Sequence, residues 1–251
     1  MIPEARIILT LLEKKKSREK EGLFVLEGEK LVEEGLDHIK FFIYSQNLPV
    51  VVKAKEMGIP GYKVSKEVME KITSVETPPG IIAVSEIRHW NIENVAKDKN
   101  PIILFAIEVQ DPGNMGTMIR TVDAVGGSGV IASRGTVDHY NPKVVRSTMG
   151  SIFRVPVALS NDVEETINLL KKNNIKIVGT SLSAKKNYWD ADLSGPIALL
   201  VGNESNGIND EVLKLCDETV KIPMPGHAES LNAAMASSLL LYETLRQRTH
   251  K

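Results

Sequence analysis

One cysteine, Cys216, is all the thiol chemistry the chain contains. No intramolecular disulfide and no cysteine-based metal cluster can form, and a reducing compartment fits. Long apolar runs are also missing. None approaches the roughly 18–20 residues of a membrane-spanning helix. The stretch 7–12, interrupted by Thr10, is followed by charge rather than a small-residue cleavage site, so it does not read as a signal peptide. The expected location is the cytoplasm, with no membrane partner. An excess of positive charge is absent too: 31 Lys plus Arg stand against 32 Asp plus Glu, a net charge of −1. That excludes a simple basic nucleic-acid binder. Histidines 38, 89, 139, 227 and 250 show no ligand spacing, and no metal is expected.

Any affinity for nucleic acid must therefore come from a local patch or a shaped site. The candidate patch is Lys14, Lys15, Lys16, Arg18 and Lys20, with Glu13, Glu19 and Glu21 interleaved. It reads equally as a phosphate-binding cluster and as a solvated helix face.

A length of 251 residues favours two domains, and 42% hydrophobic with 25% charged residues is an ordinary globular balance. Short strands and helices alternate over residues 1–90: strands at 23–27, 39–45, 62–64 and 80–87, helices at 30–35, 49–57 and 65–71. Residues 91–100 are polar and weakly patterned, as a linker would be. From 101 to 251 the alternation resumes with stronger strands. The run 102–109 is nearly all apolar, as expected of a parallel strand covered on both faces. Strands are predicted at 129–133, 155–159, 175–180, 197–201 and 219–222. Helices are predicted at 114–125, 142–149, 163–172, 210–215 and 230–248, the last with Ser230 as its cap. The fold class is α/β: a C-terminal parallel-sheet domain with helices on both faces, preceded by a small α/β domain.

Ligands in such sheets sit at the carboxyl ends of the strands, and three polar loops follow strands here. The first is Asp111-Pro112-Gly113-Asn114-Met115-Gly116. It lacks the Gly-Lys-Ser/Thr ending of a phosphate-binding loop and the Gly-x-Gly-x-x-Gly of a dinucleotide site. Arg120, one to two helical turns on, can reach back toward it or serve in a structural salt bridge. The second, Gly202-Asn203-Glu204-Ser205-Asn206-Gly207, has two glycines that allow close backbone approach. The third runs from Ile222-Pro223-Met224 to Ser230-Leu231-Asn232 and leads into Ala233, Ala234, Ala236, Ser237 and Ser238. Small side chains there permit close packing, within the chain or against a second subunit.

In this order and spacing the three segments resemble the three motifs of the SPOUT superfamily, in its SpoU/TrmH branch of RNA ribose 2′-O-methyltransferases. The resemblance covers residues 101–251. Glu27-Gly28 and Thr77-Pro78-Pro79-Gly80-Ile81 resemble the substrate-binding domain that precedes many members. The resemblance implies a deep trefoil knot over roughly residues 197–235, and S-adenosylmethionine as methyl donor. It also implies a homodimer, through the final and first-motif helices, and an RNA substrate. Gly202, Ile222 and Leu231 would contact the donor mainly through backbone, with Thr180 and Met224 as further contacts. Arg120 matches the catalytic arginine, and Asn114, Glu204, Ser230 and Asn232 match positions that orient the reacting groups. A structural ion pair between Glu204 and Arg120 is the competing reading. The first domain, through Lys14, Lys15, Lys16 and Arg18, would read RNA, and its presence favours rRNA over tRNA. A non-enzymatic RNA-binding or assembly factor and a nucleotide-binding α/β enzyme are the other classes.

Overall fold

The computed structural model of the chain describes residues 2–249. It forms two compact units, and both are discontinuous in sequence. The first takes the residues up to Arg88 together with Asp138–Phe153. The second runs from His89 to Val137 and resumes at Arg154. The boundary therefore departs from a simple division near residue 90.

The first unit opens with α1 (Pro3–Glu13), which has proline in its first turn and buries Ala5, Ile8 and Leu11 along one face. The apolar run near the start of the chain is thus the inner stripe of a helix. After α2 (Lys15–Glu21), Gly22 takes a left-handed conformation and releases the chain into β1 (Leu23–Glu27). Then come α3 (Glu29–Glu34), β2 (Ile39–Tyr44), α4 (Pro49–Glu56), β3 (Gly61–Lys63), α5 (Lys66–Lys71) and β4 (Ile81–Glu86). The sheet order is β1-β4-β2-β3, with β4 antiparallel to both neighbours. Val25, Val84, Ile82 and Ile43 on one face pack on α1, Met69 and Ile72.

The later segment Asp138–Phe153 belongs here because its side chains complete this unit. Tyr140 and Phe153 stack on Phe24, at ring-centroid distances of 4.6 and 6.0 Å. Arg146, from the helix Pro142–Thr148, pairs with Glu27 at 2.5 Å. The Glu27 side chain is only 2% exposed, and it also accepts from Thr73 Oγ1 at 2.8 Å and the Ser74 backbone N–H at 2.7 Å. Arg18, expected at an RNA phosphate, is instead 4% exposed. Its Nε and Nη2 donate to Asp138 Oδ2 at 3.0 and 2.7 Å, and Nη1 donates to the Leu11 carbonyl at 2.6 Å. A side chain so engaged is an internal tie, not a free cation. Lys14, Lys15 and Lys16 remain exposed.

The segment read as a linker lies within the second unit. Residues 91 and 94 form a reciprocal capping box that starts α6 (Ile92–Ala96), and Val95 is fully buried in the core. Polar neighbours had masked this single apolar anchor. The unit continues with β5 (Ile102–Ala106), α7 (Pro112–Ala124), β6 (Gly129–Ser133), α8 (Pro142–Thr148, lent to the first unit), β7 (Val157–Ser160), α9 (Val163–Lys172), β8 (Lys176–Thr180), β9 (Lys186–Asn187), β10 (Ile197–Val201), α10 (Asp210–Lys214), β11 (Glu218–Lys221) and α11 (Ala233–Thr249). Seven parallel strands form one sheet in the order β7-β6-β5-β10-β8-β11-β9. Every residue of β5, β6 and β10 is buried, which is why these strands read as unbroken apolar runs. The final helix starts three residues later than predicted. Asn232, not Ser230, caps it, its Oδ1 accepting from the N–H groups of Ala234 at 2.9 Å and Met235 at 3.2 Å. Ala233, Ala234 and Ser237 face the chain's own interior. Among the described residues no helix is long and apolar enough to cross a membrane.

The Glu27 cage yields a stability prediction. Glu27→Ala removes the carboxylate partner of Arg146, which keeps only Ser74 Oγ, and leaves the Ser74 N–H without its acceptor, and should cost about 2 kcal/mol. Denaturant titration checks this; a loss below about 0.5 kcal/mol, the range of ordinary surface changes, would show that the cage is not stabilising.

Candidate active site

The loops leaving β8, β10 and β11 enclose a cavity of about 370 Å³. That lies in the usual range for small-molecule sites, roughly 300–1,000 Å³. Thr180, Gly202, Ile222, Met224 and Leu231, the five residues expected at the donor, all line it, as do Glu204 and Ser230. Ser181, Leu182, Ser183 and Ala236 complete parts of the wall and were not foreseen, because nothing in their local sequence marks them.

Gly202 explains how the wall is built. A Cβ there would lie 2.2 Å from the Gly207 carbonyl carbon and 2.5 Å from the Ile208 nitrogen, so only glycine lets the loop fold onto itself. Asn203 and Gly207 exchange backbone hydrogen bonds at 3.1 and 3.0 Å, and Gly207 supplies the left-handed turn. Asn203 Oδ1 accepts from the N–H groups of Ser205 and Asn206, at 2.9 and 3.1 Å.

A chain of hydrogen bonds joins the three loops. Glu204 Oε1 accepts from Asn114 Nδ2 at 2.9 Å and from the Asp111 N–H at 3.2 Å; Oε2 accepts from the Gln110 N–H at 3.2 Å. Asn114 Oδ1 then accepts from Asn232 Nδ2 at 2.7 Å, and Asn232 Oδ1 caps α11. Burial pushes the Glu204 carboxyl upward, but hydrogen bonds from Asn114 and from backbone N–H groups outweigh it and hold the group below its ordinary range. The carboxylate is therefore ionised and acts as an acceptor.

Arg120 is exposed on α7, outside the cavity wall, with no hydrogen bond or ion pair among the described residues. The alternative of an ion pair with Glu204 is thus not realised; backbone amides and Asn114 occupy that carboxylate. Burial pushes the Cys216 thiol up to about 11, so it remains protonated near neutrality and is no nucleophile. Among the described residues, no group of three or more His, Cys, Asp or Glu could hold a metal ion. His250 lies outside the described residues.

Residues 101–242 match the model of the SpoU rRNA methylase family. The chain belongs to the SpoU rRNA methylase family. Residues 7–83 of this SpoU-family chain match a second model, the MRM3-like substrate binding domain. RlmP of Bacillus subtilis, a 23S rRNA guanosine 2′-O-methyltransferase, is 38% identical over 92% of each chain. The crystal structure of the SpoU methyltransferase AviRb from Streptomyces viridochromogenes aligns with a TM-score of 0.88 at 29% identity, covering 99% of this chain and 98% of that one. An rRNA methyltransferase from Sinorhizobium meliloti, solved with AdoMet bound, aligns with a TM-score of 0.87 at 34% identity, covering 97% and 94%.

The lowered Glu204 carboxyl makes stability depend on pH. Its contribution is fully present above the unfolded-state carboxylate pKa and is lost as pH falls through the lower folded value. Glu204→Gln should therefore melt below the wild type at neutral pH, and the gap should close on acidification. Paired melting curves between pH 7 and pH 3 test this; a gap that stays constant with pH would remove the charge from the account.

Proposed function

We propose that this SpoU-family chain transfers the methyl group of S-adenosylmethionine to a ribose 2′-hydroxyl of large-subunit rRNA. The observation that carries the reading is the hydrogen-bond chain Glu204–Asn114–Asn232, of which Glu204 lines the cavity, with Arg120, unpaired among the described residues, on the helix that carries Asn114. The cavity lining supports this donor: Gly202, Ile222, Met224 and Leu231 line it together with the polar Ser230 and Glu204. S-adenosylmethionine brings an electrophilic methyl group. The chain's own residues align the 2′-hydroxyl and ease loss of its proton as oxygen becomes bonded to carbon. The guanidinium of Arg120 offers N–H donors and no acceptor. Its role is electrostatic: it holds an RNA phosphate or the developing alkoxide. Asn114, Glu204, Ser230 and Asn232 keep the acceptor side in register with the donor.

The reading has three further parts. The segment 197–235 is taken to be threaded as a deep trefoil knot. The insertion of β10 between β5 and β8, and the packing of α11 back onto α7, support this. The working enzyme is taken to be a homodimer. Met235, Leu239 and Tyr242 are 59%, 39% and 53% exposed, and at spacings of four and three they form one apolar stripe on α11. This stripe replaces the small-residue face, which packs inward. Residues 1–90 are taken to read rRNA, in the cytoplasm, with exposed Lys14, Lys15 and Lys16 on phosphates; the matched substrate-binding model supports that role.

Mapping 2′-O-methylation across rRNA from cells with and without the gene tests the activity; identical maps would remove it. Arg120→Ala should lower the single-turnover rate by about 100-fold or more, while donor affinity by calorimetry stays within a few-fold. Equal rates would exclude Arg120 from the chemistry. Leu239→Glu with Tyr242→Glu should turn a dimer into a monomer in analytical ultracentrifugation. A wild-type monomer at micromolar concentration would overturn the dimer.

A further inference from the structure

Glu108 is one of three non-glycine residues with positive φ among the described residues, at 51°. Such a conformation is strained for a residue with a Cβ and persists where the surroundings impose it. Here they do. The Glu108 N–H donates to Ser133 Oγ at 2.9 Å, and its carbonyl accepts from Asn203 Nδ2 at 2.9 Å. A Cβ on Gly135 would stand 3.3 Å from Glu108 Cγ, so glycine at 135 leaves just enough room for the side chain's stem. The carboxylate at its end is exposed and has no hydrogen bond or ion pair among the described residues. Glu108 follows β5, two residues before Gln110, whose N–H holds Glu204. The cavity walls follow β8, β10 and β11, and Asn203, which lines the cavity, holds the Glu108 carbonyl, so Glu108 stands beside the cavity on the β5 side of β10.

A carboxylate carried on a fixed backbone beside a polyanion is repulsive unless it reads hydrogen-bond donors. Guanine is the base that presents two adjacent donors, N1–H and N2–H, on its pairing edge; adenine and cytosine pair one donor with one acceptor, and uracil flanks its donor with acceptors. A carboxylate accepts only, and accepts twice. Single-stranded RNA bases are commonly read on that edge. We propose that Glu108 recognises the base of the nucleotide being methylated and that this base is guanine. The inference rests on the methyltransferase reading above.

The test uses the full-length protein and in-vitro-transcribed large-subunit rRNA, with guanosine or inosine ligated in at the mapped position. Inosine lacks N2–H. Wild type should lose roughly 5- to 150-fold in kcat/KM on inosine, the range for one bidentate base contact. Glu108→Gln keeps one acceptor oxygen and puts a donor in place of the other, so it should lose a similar factor on guanosine and separate the two bases less than the wild type does. Glu108→Gly should relieve the backbone, melt at the same or a higher temperature, and show the same loss of discrimination. A variant that still separates guanosine from inosine as the wild type does overturns the assignment of Glu108. A mapped target other than guanosine overturns the choice of base while leaving the methyltransferase intact. An rRNA map that does not change with the gene fails the underlying reading itself.

Discussion

The acceptor-only character of the Glu204 carboxylate sets the order of the whole site. Because it can only accept, Asn114 must present its amide nitrogen toward it. That turns the Asn114 oxygen to Asn232, and the Asn232 oxygen to the first N–H groups of α11. One ionised group thus fixes two amide orientations and a helix cap, across separations of 90 and 118 residues. The three loops are otherwise separate polar segments after separate strands. Joined this way, they form one surface whose donors and acceptors are directed, which is what preorganised catalysis requires.

The first unit is ordered by an analogous device with a different purpose. Glu27 and Asp138 are carboxylates met by Arg146 and Arg18, and each pair links the early chain to the returning segment Asp138–Phe153. Aromatic contacts among Phe24, Tyr140 and Phe153 fill the space around them. Buried pairs of this kind add little net stability compared with apolar packing, but they penalise any arrangement in which one partner is missing. They therefore select the docked position of a segment that local sequence assigns to the other unit.

Much of this was legible in the sequence, and the misses share a cause. Parallel strands such as β5, β6 and β10 announce themselves because both faces are buried. The loops after β10 and β11 stood out through glycine and proline, and the residues proposed from them do converge on one cavity. Arg18 was misread because its partner, Asp138, lies 120 residues away, and nothing beside it distinguishes a buried guanidinium from a solvated one. The segment 91–100 looked like a linker because one buried valine in a polar stretch carries no periodicity. Ser230 was a plausible cap by residue type, but Asn232 holds that place, since its oxygen is already aimed by Asn114. Glu108 carried no signal, because a left-handed backbone at a charged residue is set by Ser133, Gly135 and Asn203 and not by its neighbours in sequence.

The lone thiol has a use unrelated to catalysis. Cys216 packs against β8, where a Cβ on Gly179 would come 2.7 Å from its sulfur, one residue before Thr180 at the cavity wall. Burial suppresses its thiolate while the sheet is closed. Cys216 is only partly buried, so its rate of labelling by a thiol reagent reports how far this sheet region shields it, and with a single cysteine every modification event reports the same place. The molecule thus carries a native gauge of the breathing of its ligand-facing wall, readable by mass spectrometry without introducing a foreign probe.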